Sequence, residues 1–300
     1  MKTIVRLLFL CVLALAFAPG ADAHSGHTVW EGWTFDWEVK DGAGIAIRNV
    51  RFNNELVLYK ASMPVIRVRY NNNQCGPYAD RIFWDSLVKI SNCGNNKVCQ
   101  KSYSSGGRNW LEVGVYARIG SYHIYQVWYL SHDGWIQARM HSKGLQCQVT
   151  HQHHPYWRMD FDINGSGGDQ IFEHNNNAPN TGWGPGWSKF TTEFNTTKNT
   201  ATDRRWFTRD SPGGHGAWII PSGADGTADS FSNKDAAGRT YQGSEDVAWA
   251  FGASGHLGYN NGEDIQEKDD VFWYVAHLHH EASGGGSVWH AAGPWIFVAR

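Results

Sequence analysis

The sequence predicts an all-β protein that folds as a large antiparallel β-sandwich. Segment after segment alternates apolar and polar residues, which is the period of a strand with one buried face. The connecting stretches are short and polar, and no long segment has the periodicity of an amphipathic helix. The composition agrees, because 34 glycines and an aromatic content of 14% favour strands joined by tight turns.

The alternation locates the strands along the chain. It is clearest at 44–52, 55–60, 64–70, 110–116, 123–130 and 135–140. A turn signal, His132-Asp133-Gly134, separates the last two runs and predicts a hairpin. From about 175 to 264 the chain is rich in Gly, Asn, Ser and Thr and predicts long loops with a few strands, such as 216–221 and 246–251. Residues 294–300 predict a final strand or an extended tail. No repeat or linker divides the chain, so we expect 24–300 to form a single domain.

Residues 1–23 have the pattern of a secretory signal peptide. Lys2 and Arg6 precede a short apolar run at 7–17, and small residues at 21–23 form a cleavage site. That run is too short for a permanent membrane span, and no later segment is longer. We therefore expect a mature chain that begins at His24 and is secreted or periplasmic. The net charge of −2, without a basic block, argues against nucleic acid or an anionic membrane as a partner.

Cysteine usage fits an oxidising compartment. Cys11 leaves with the signal, and an even set remains: Cys75, Cys93, Cys99 and Cys147. A turn-like Gly94-Asn95-Asn96 separates Cys93 from Cys99, so these two are candidates for a local bridge. That pairing would leave Cys75 with Cys147, but the sequence alone does not decide among the three possible pairings.

The pattern of histidines and aspartates predicts metal binding. His151 and His153 alternate, as do Asp160 and Asp162 one strand-length later, so each pair would share one face of a strand. Imidazole pairs suit copper or zinc, whereas carboxylate pairs suit calcium or manganese. The bland alternative is that these are strand histidines with no metal, since the chain has 15 His.

A second segment repeats the order of acids followed by histidines. Asp269 and Asp270 precede His277, His279 and His280. Two metals, each held by two distant segments, is the simplest interpretation, and only the fold could bring those segments together.

Taken in order, these motifs resemble the catalytic domain of copper amine oxidases. The resemblance rests on Thr150-His-Gln-His153, on the run from Arg158 to Gly165, and on 269–273 leading to His280. Residues 119–125, followed by a hairpin, are similar to the strand whose tyrosine becomes the quinone cofactor, here Tyr122. Weaker similarity covers nearly all of the mature chain, without the smaller N-terminal domains of the family.

The resemblance implies a set of roles for individual residues. Copper would be held by His151, His153 and His280, and topaquinone would form from Tyr122, with Tyr70 as its hydrogen-bonding tyrosine. The catalytic base would be Asp85, with Asp80 as the runner-up. A peripheral calcium or manganese ion would be held by the residues that match the second site of the family: Asp160, Asp162, Asp269 and the backbone near Phe161 and Asp270.

The implied reaction is the oxidation of a primary amine by O2 to an aldehyde, ammonia and hydrogen peroxide. The family also implies a homodimer. Three positions depart from the cofactor motif, namely Arg118, Ser121 and His123, and they put quinone formation in doubt more than copper binding. Tyr122 also lies 29 residues before His151, which is a shorter interval than is usual in the family.

Two other functions stay open from the sequence. One is a copper oxidase or oxygenase that uses the three histidines without a quinone, with His123 as a candidate extra ligand. The other is a non-enzymatic secreted module that binds carbohydrate through exposed aromatic residues or holds metals for structure. His24, as a free N-terminal histidine, is a further candidate copper ligand, and the alternative for it is a flexible terminus.

Overall fold

The computed structural model describes residues 24–71, 75–176, 183–210, 215–243, 260–284 and 286–299. The proposed signal peptide at 1–23 and the predicted strand at 246–251 lie outside these residues. Strand makes up 58% of the described residues, which also contain short 3-10 turns but no α-helix. The predicted all-β class is therefore confirmed. No helix in the described part of the chain is long and apolar enough to cross a membrane.

Two large antiparallel sheets form the molecule. The first sheet has 10 strands, with the central order β1-β2-β3-β4-β11-β18-β17-β14. Its strands are β1 (Ser25–Trp30), β2 (Trp33–Lys40), β3 (Gly44–Phe52), β4 (Glu55–Tyr70), β5 (Tyr78–Asp80), β11 (His151–Asp160), β14 (Phe194–Thr196), β17 (Ala236–Thr240), β18 (Asp270–Val275) and β19 (Leu278–His280). Strand β5 pairs with β4, and β19 pairs with β11.

The second sheet has 11 strands, with the central order β13-β12-β15-β16-β21-β10-β9-β8-β6. Its strands are β6 (Leu87–Val88), β7 (Val98–Ser105), β8 (Arg108–Ile119), β9 (Tyr122–Ser131), β10 (Trp135–Lys143), β12 (Asp169–His174), β13 (Trp187–Lys189), β15 (Arg205–Asp210), β16 (Gly216–Ile220), β20 (His290–Ala292) and β21 (Trp295–Ala299). The predicted hairpin at 132–134 joins β9 and β10.

One strand is longer than predicted. Residues 55–60 and 64–70 were expected as two strands, but β4 runs without interruption from Glu55 to Tyr70. The pairing of β4 with β11 shifts register between Tyr156 and Arg158, opposite the segment from Ser62 to Val65. Pro64 lies in that irregularity, where its missing N–H breaks no regular ladder. A proline that signals a strand end in the sequence therefore marks a bulge inside a strand.

The core lies between the inner faces of the two sheets. Trp128 of the second sheet meets Trp157 of the first edge-to-face, with ring centroids 5.1 Å apart. Both indoles are fully buried, as are Trp33 and Trp206 in the same core. Aromatic pairs of this geometry contribute about 0.5–1.5 kcal/mol beyond the burial of their area. Strand β11 runs through this core, so its inward side chains are packed tightly on both sides.

Both pairs of cysteines form disulfides. Cys93 bonds to Cys99 across the predicted local turn, and Cys75 bonds to Cys147. The second bond joins the segment after β4 to the segment before β11, so it connects the two neighbouring strands outside their hydrogen-bonded ladder. Two disulfides fit an extracellular protein.

Candidate metal centre

Three buried histidines meet between the sheets at one end of the core. His151 and His153 lie on β11 two residues apart, so both imidazoles point inward. Strand β19 pairs antiparallel with β11 and sets His280 directly opposite His151. The structure thus brings together the three histidines that the family resemblance implied, although His151 and His280 are 129 positions apart in the sequence.

The nitrogens of the three rings converge on one point. One nitrogen from each ring lies within 4.8 Å of the others, and the Nε2 atoms of His151 and His153 are 2.9 Å apart. His151 Nδ1 is 2.8 Å from the carbonyl of Val149, so it donates there and leaves Nε2 with a free lone pair. Both nitrogens of His280 are buried without a hydrogen-bond partner.

Orphaned imidazole nitrogens of this kind need an explanation in a folded protein. Three converging imidazoles form a donor set that suits copper or zinc, and an open fourth position is typical of a metal that handles a substrate. The three-histidine site is therefore consistent with copper.

Burial keeps these imidazoles neutral. Desolvation lowers the pKa of His280 to about 4, lowers the pKa of His151, and lowers the pKa of His153 well below its usual value. The neighbouring histidines add to the effect, because like charges close together disfavour protonation. At neutral pH all three rings therefore keep the lone pairs that a metal requires.

Two tyrosines complete the inner wall of the site. The hydroxyl of Tyr122, at the start of β9, is 2.9 Å from His151 Nε2 and 2.8 Å from the hydroxyl of Tyr70. Tyr70 ends β4 opposite His151 and stacks on its ring at 4.6 Å. Burial raises the pKa of both tyrosines, so both phenols are neutral at pH 7. The second sheet thus delivers one phenol to the histidines of the first.

The two candidate bases lie in different surroundings. Asp85 is in an exposed 3-10 turn, Trp84–Ser86. Asp80 ends the short strand β5, and burial raises the pKa of its carboxyl to about 6. It acts electrostatically on both Tyr70 and Tyr122. Asp80, the runner-up from the sequence, is therefore the more buried of the two carboxyls.

The residues that depart from the cofactor motif point away from the metal centre. His123 follows Tyr122 on β9 and so faces the outer side of the sheet, where its Nδ1 is bonded to the hydroxyl of Tyr116. Arg118 and Ser121 are exposed. The interpretation of His123 as an extra ligand therefore finds no support in the geometry. The ring of His24 stacks on Trp84, with ring centroids 3.5 Å apart.

A second group of acidic side chains lies at the far end of β11. Oxygens of Asp160, Asp162 and Asp269 come within 4.8 Å of one another, as the sequence pattern predicted. Burial raises the pKa of Asp160 to about 7 and of Asp162 to about 6, and the neighbouring carboxylates contribute. Arg158 is the nearest cation, 3.3 Å from Asp160.

Two features of this region, a further pair of buried acids and a second histidine pair, were not predicted from the sequence. Asp169, at the start of β12, is fully buried beside the acidic group, and its pKa rises to about 9 through burial and then repulsion from Asp162 and Asp270. It stands alone in a glycine-rich run, so no sequence pattern marks it. The pKa of Asp270 rises to about 9 for the same reasons. Phe161 is buried between two of the acids.

The other missed feature is a second histidine pair on the opposite face of β11. His154 Nδ1 is 2.7 Å from His277 Nδ1, and both rings are fully buried. Each ring has a carboxylate at its other end, Asp229 at 3.5 Å from His154 and Asp235 at 3.1 Å from His277. These contacts between His154 and His277 connect the residue after His153 with the segment that leads into His280. The histidine pair therefore holds together the two segments that carry the candidate metal ligands.

Comparisons of the sequence give no match among protein-family models and none among curated proteins. Comparison of the structure gives a clear result. A copper-containing benzylamine oxidase from Hansenula polymorpha superposes with a TM-score of 0.74 and 15% identity, over 99% of this chain and 63% of that one. An amine oxidase from Aspergillus nidulans gives 0.76 and 14%, over 99% and 55%.

A lysyl oxidase from Pichia pastoris has a TM-score of 0.67 at 12% identity, over 99% of this chain and 56% of that chain. The chain thus spans between about half and two thirds of the length of these proteins. At such identities the likeness establishes the fold, and the histidine site adds chemistry that agrees with it. The chain therefore has the fold of these copper amine oxidases.

Proposed function

We propose that this protein is a secreted copper oxidase that deaminates a primary amine, with a quinone cofactor made from Tyr122. The observation that carries the proposal is the position of the Tyr122 phenol, 2.9 Å from the free nitrogen of His151 in a three-imidazole site. A metal bound by those imidazoles would be adjacent to the one phenol that the second sheet delivers. Two disulfides and the signal-like residues 1–23 support export.

Copper held by His151, His153 and His280 would supply a redox centre for reaction with O2, and a quinone would supply an electrophilic carbonyl. The chain itself supplies orientation and proton transfer. The Tyr70 hydroxyl, 2.8 Å from that of Tyr122, would hold the ring in one orientation.

The base in this proposal is Asp80. A pKa of about 6 leaves its carboxyl mostly ionised at pH 7, yet basic enough to accept a carbon-bound proton from the substrate. The acidic group of Asp160, Asp162 and Asp269 would hold a structural calcium or manganese ion, because oxygen-only ligands suit hard cations.

A quinone-free copper oxidase is the second candidate. It is favoured by Arg118, Ser121 and His123, which replace the residues that surround the cofactor tyrosine in the family that the sequence resembles. Because His123 is bonded to Tyr116 on the outer face, this candidate would use the same three histidines without His123.

One experiment separates the two candidates. The mature chain is loaded with copper in air and treated with phenylhydrazine, and its visible spectrum is recorded for the wild type, Tyr122→Phe and Tyr125→Phe. Tyr125 is the matched control, because it lies on the same strand but faces outward and is bonded to Glu112. We expect an adduct in the wild type and the control and none in Tyr122→Phe. Bound copper without an adduct in any of the three proteins would refute the quinone and leave the quinone-free oxidase.

A further inference from the structure

A second concave site lies on the outer face of the second sheet, away from the three histidines of the candidate metal centre. It is a cavity of about 440 Å³ between the loop at 90–92 and Trp289, with strands β8, β9 and β10 as its floor. Side chains alternate across a strand, so Tyr122 faces the core while Tyr125 and Tyr129 face this cavity. A volume of this size matches that of ordinary small-molecule sites.

The concave shape follows from the register of three strands. Glu112 pairs with Tyr129 in one row, Gly114 with Val127 in the next, and Tyr116 with Tyr125 in the third. On β8 and β9 the middle row therefore has smaller side chains than the two rows beside it, while Arg139 of β10 lies opposite Val127. A Cβ atom at Gly114 would lie 2.8 Å from the Tyr125 hydroxyl, so glycine is what allows the Tyr125 ring to cross the floor.

The charges of the polar side chains that line this cavity cancel one another. Glu112 is buried at the floor, where it accepts a hydrogen bond from the Tyr125 hydroxyl and lies 3.3 Å from the Lys101 ammonium. His141 lines the same cavity, and burial lowers its pKa to about 4, so it is uncharged. Its Nε2 is 3.4 Å from the Tyr129 hydroxyl. The cavity thus carries one anion and one cation that already neutralise each other.

This balance excludes most ligand classes. An organic cation would have to displace Lys101 from Glu112, and an anion would meet the Glu112 carboxylate at the floor, although the Lys143 ammonium lies 4.9 Å from the Trp289 ring at the rim. A purely apolar ligand would displace water from the hydrogen-bonding positions that these groups do not use on one another, at a cost of about 1–3 kcal/mol for each position left unsatisfied.

A pyranose sugar can contact both the aromatic rings and the polar floor of the cavity. Its faces carry C–H groups that pack on aromatic rings, and its edge carries hydroxyls that both donate and accept. Trp289 is 42% exposed at the rim and meets Tyr116 at a centroid distance of 6.2 Å, so the two rings form an aromatic wall beside the polar floor. We propose that this cavity binds a neutral oligosaccharide, as a subsite separate from the metal centre.

The test is isothermal titration of the copper-loaded protein with three neutral disaccharides: cellobiose, maltose and N,N′-diacetylchitobiose. We expect saturable binding of at least one, weakened about tenfold or more, or 1.4 kcal/mol, by Trp289→Ala and by Glu112→Gln. Trp183→Ala is the matched control, because Trp183 is similarly exposed, at 47%, but packs on Phe172 elsewhere. It should leave the affinity unchanged.

Glu112→Gln preserves shape, and Trp289→Ala removes a rim side chain, so neither change threatens the fold. The phenylhydrazine reaction should be the same in both variants, which separates this site from the proposed oxidase activity. The absence of binding by all three disaccharides would overturn the proposal. So would equal losses in the two tryptophan variants, or tetramethylammonium binding that depends on Trp289.

Discussion

Asp80 is the residue at which the proposed chemistry is easiest to test. It differs from Asp85 in burial and in its influence on the two tyrosines, while the two residues are only five positions apart. We expect Asp80→Asn to lower amine turnover by about 10²–10⁴-fold, the usual range for loss of a general base, and to leave copper binding intact. Asp85→Asn should retain wild-type turnover. Equal losses in both variants, measured by peroxide release, would remove Asp80 from the proposal.

The pKa of Asp80 also predicts a pH profile. A general base must be ionised, and the carboxyl is protonated below its pKa of about 6. We therefore expect kcat/KM for a primary amine to fall tenfold for each pH unit below about 6 and to level off above it. Asp80→Asn should abolish this limb in whatever activity remains. An unchanged limb in the variant would assign it to another group.

At the scale of the strand, the inner and outer faces of β11 have different tasks. His151 and His153 face the metal centre, and His154 faces the second histidine pair. We expect His277→Leu to destabilise the protein by about 1–3 kcal/mol, because it leaves His154 Nδ1 buried without its partner and removes one partner of the buried Asp235 carboxylate, which keeps its contacts with Lys198. His277→Asn should recover part of that loss, since its amide can reach the position of Nδ1.

The matched control for this prediction is His279→Leu. His279 lies two residues after His277, on strand β19, but is exposed and is bonded to Glu281. It should change the free energy of unfolding by no more than about 0.5 kcal/mol. If urea unfolding gave the same free energy for His277→Leu and His279→Leu, the histidine pair would have no role in holding the two ligand segments together.

The acidic group predicts an unusual pH dependence for the metal-free protein. The pKa values of Asp160, Asp162, Asp169 and Asp270 are raised to between about 6 and about 9, against a usual value of 3.8. The folded state therefore binds protons more tightly than the unfolded state. The contribution to stability is fully present below pH 3.8 and is lost as the pH rises through 6 to 9.

Calcium should reverse that loss. A bound divalent cation offsets the repulsion between the carboxylates, so we expect calcium to raise the melting temperature more at pH 8 than at pH 5. Asp269→Asn should reduce the effect, while substitution of the exposed Asp264 should not. A calcium effect of equal size at both pH values would show that these acids do not hold the ion.

At the scale of the whole molecule, the two disulfides differ in what they constrain. Cys75 and Cys147 are 72 residues apart, whereas Cys93 and Cys99 are six apart. In the chain-entropy model, removal of the longer link costs about 4 kcal/mol and of the shorter about 2 kcal/mol. We expect paired Cys→Ser variants to show this order in urea unfolding. The reverse order would mean that strain or residual structure outweighs loop closure.

Much of this molecule could be predicted from the sequence, and the missing parts have a common cause. Alternation predicted β3 and the β9–β10 hairpin, and the same period placed His151 and His153 on one face. Features that depend on pairing between distant strands could not be predicted. His277 meets His154 across 123 residues, and the cavity floor depends on which residue of β9 lies opposite Gly114. No local pattern carries that register.

The choice between Asp80 and Asp85 as the catalytic base also could not be made from the sequence. The family order of motifs placed an aspartate after the first long strands, but two candidates met that description. Only the burial of Asp80 and its electrostatic influence on Tyr70 and Tyr122 distinguish it from Asp85.

The most direct test of the central claim is the electron paramagnetic resonance spectrum of the mature protein titrated with Cu²⁺, beside His153→Ala. The account predicts one tightly bound copper at the three histidines, with hyperfine splitting from imidazole nitrogens. In His153→Ala the affinity should fall by more than about 100-fold and the spectrum should change. The same copper affinity and spectrum in the variant, or no copper bound by the wild type, would contradict the account.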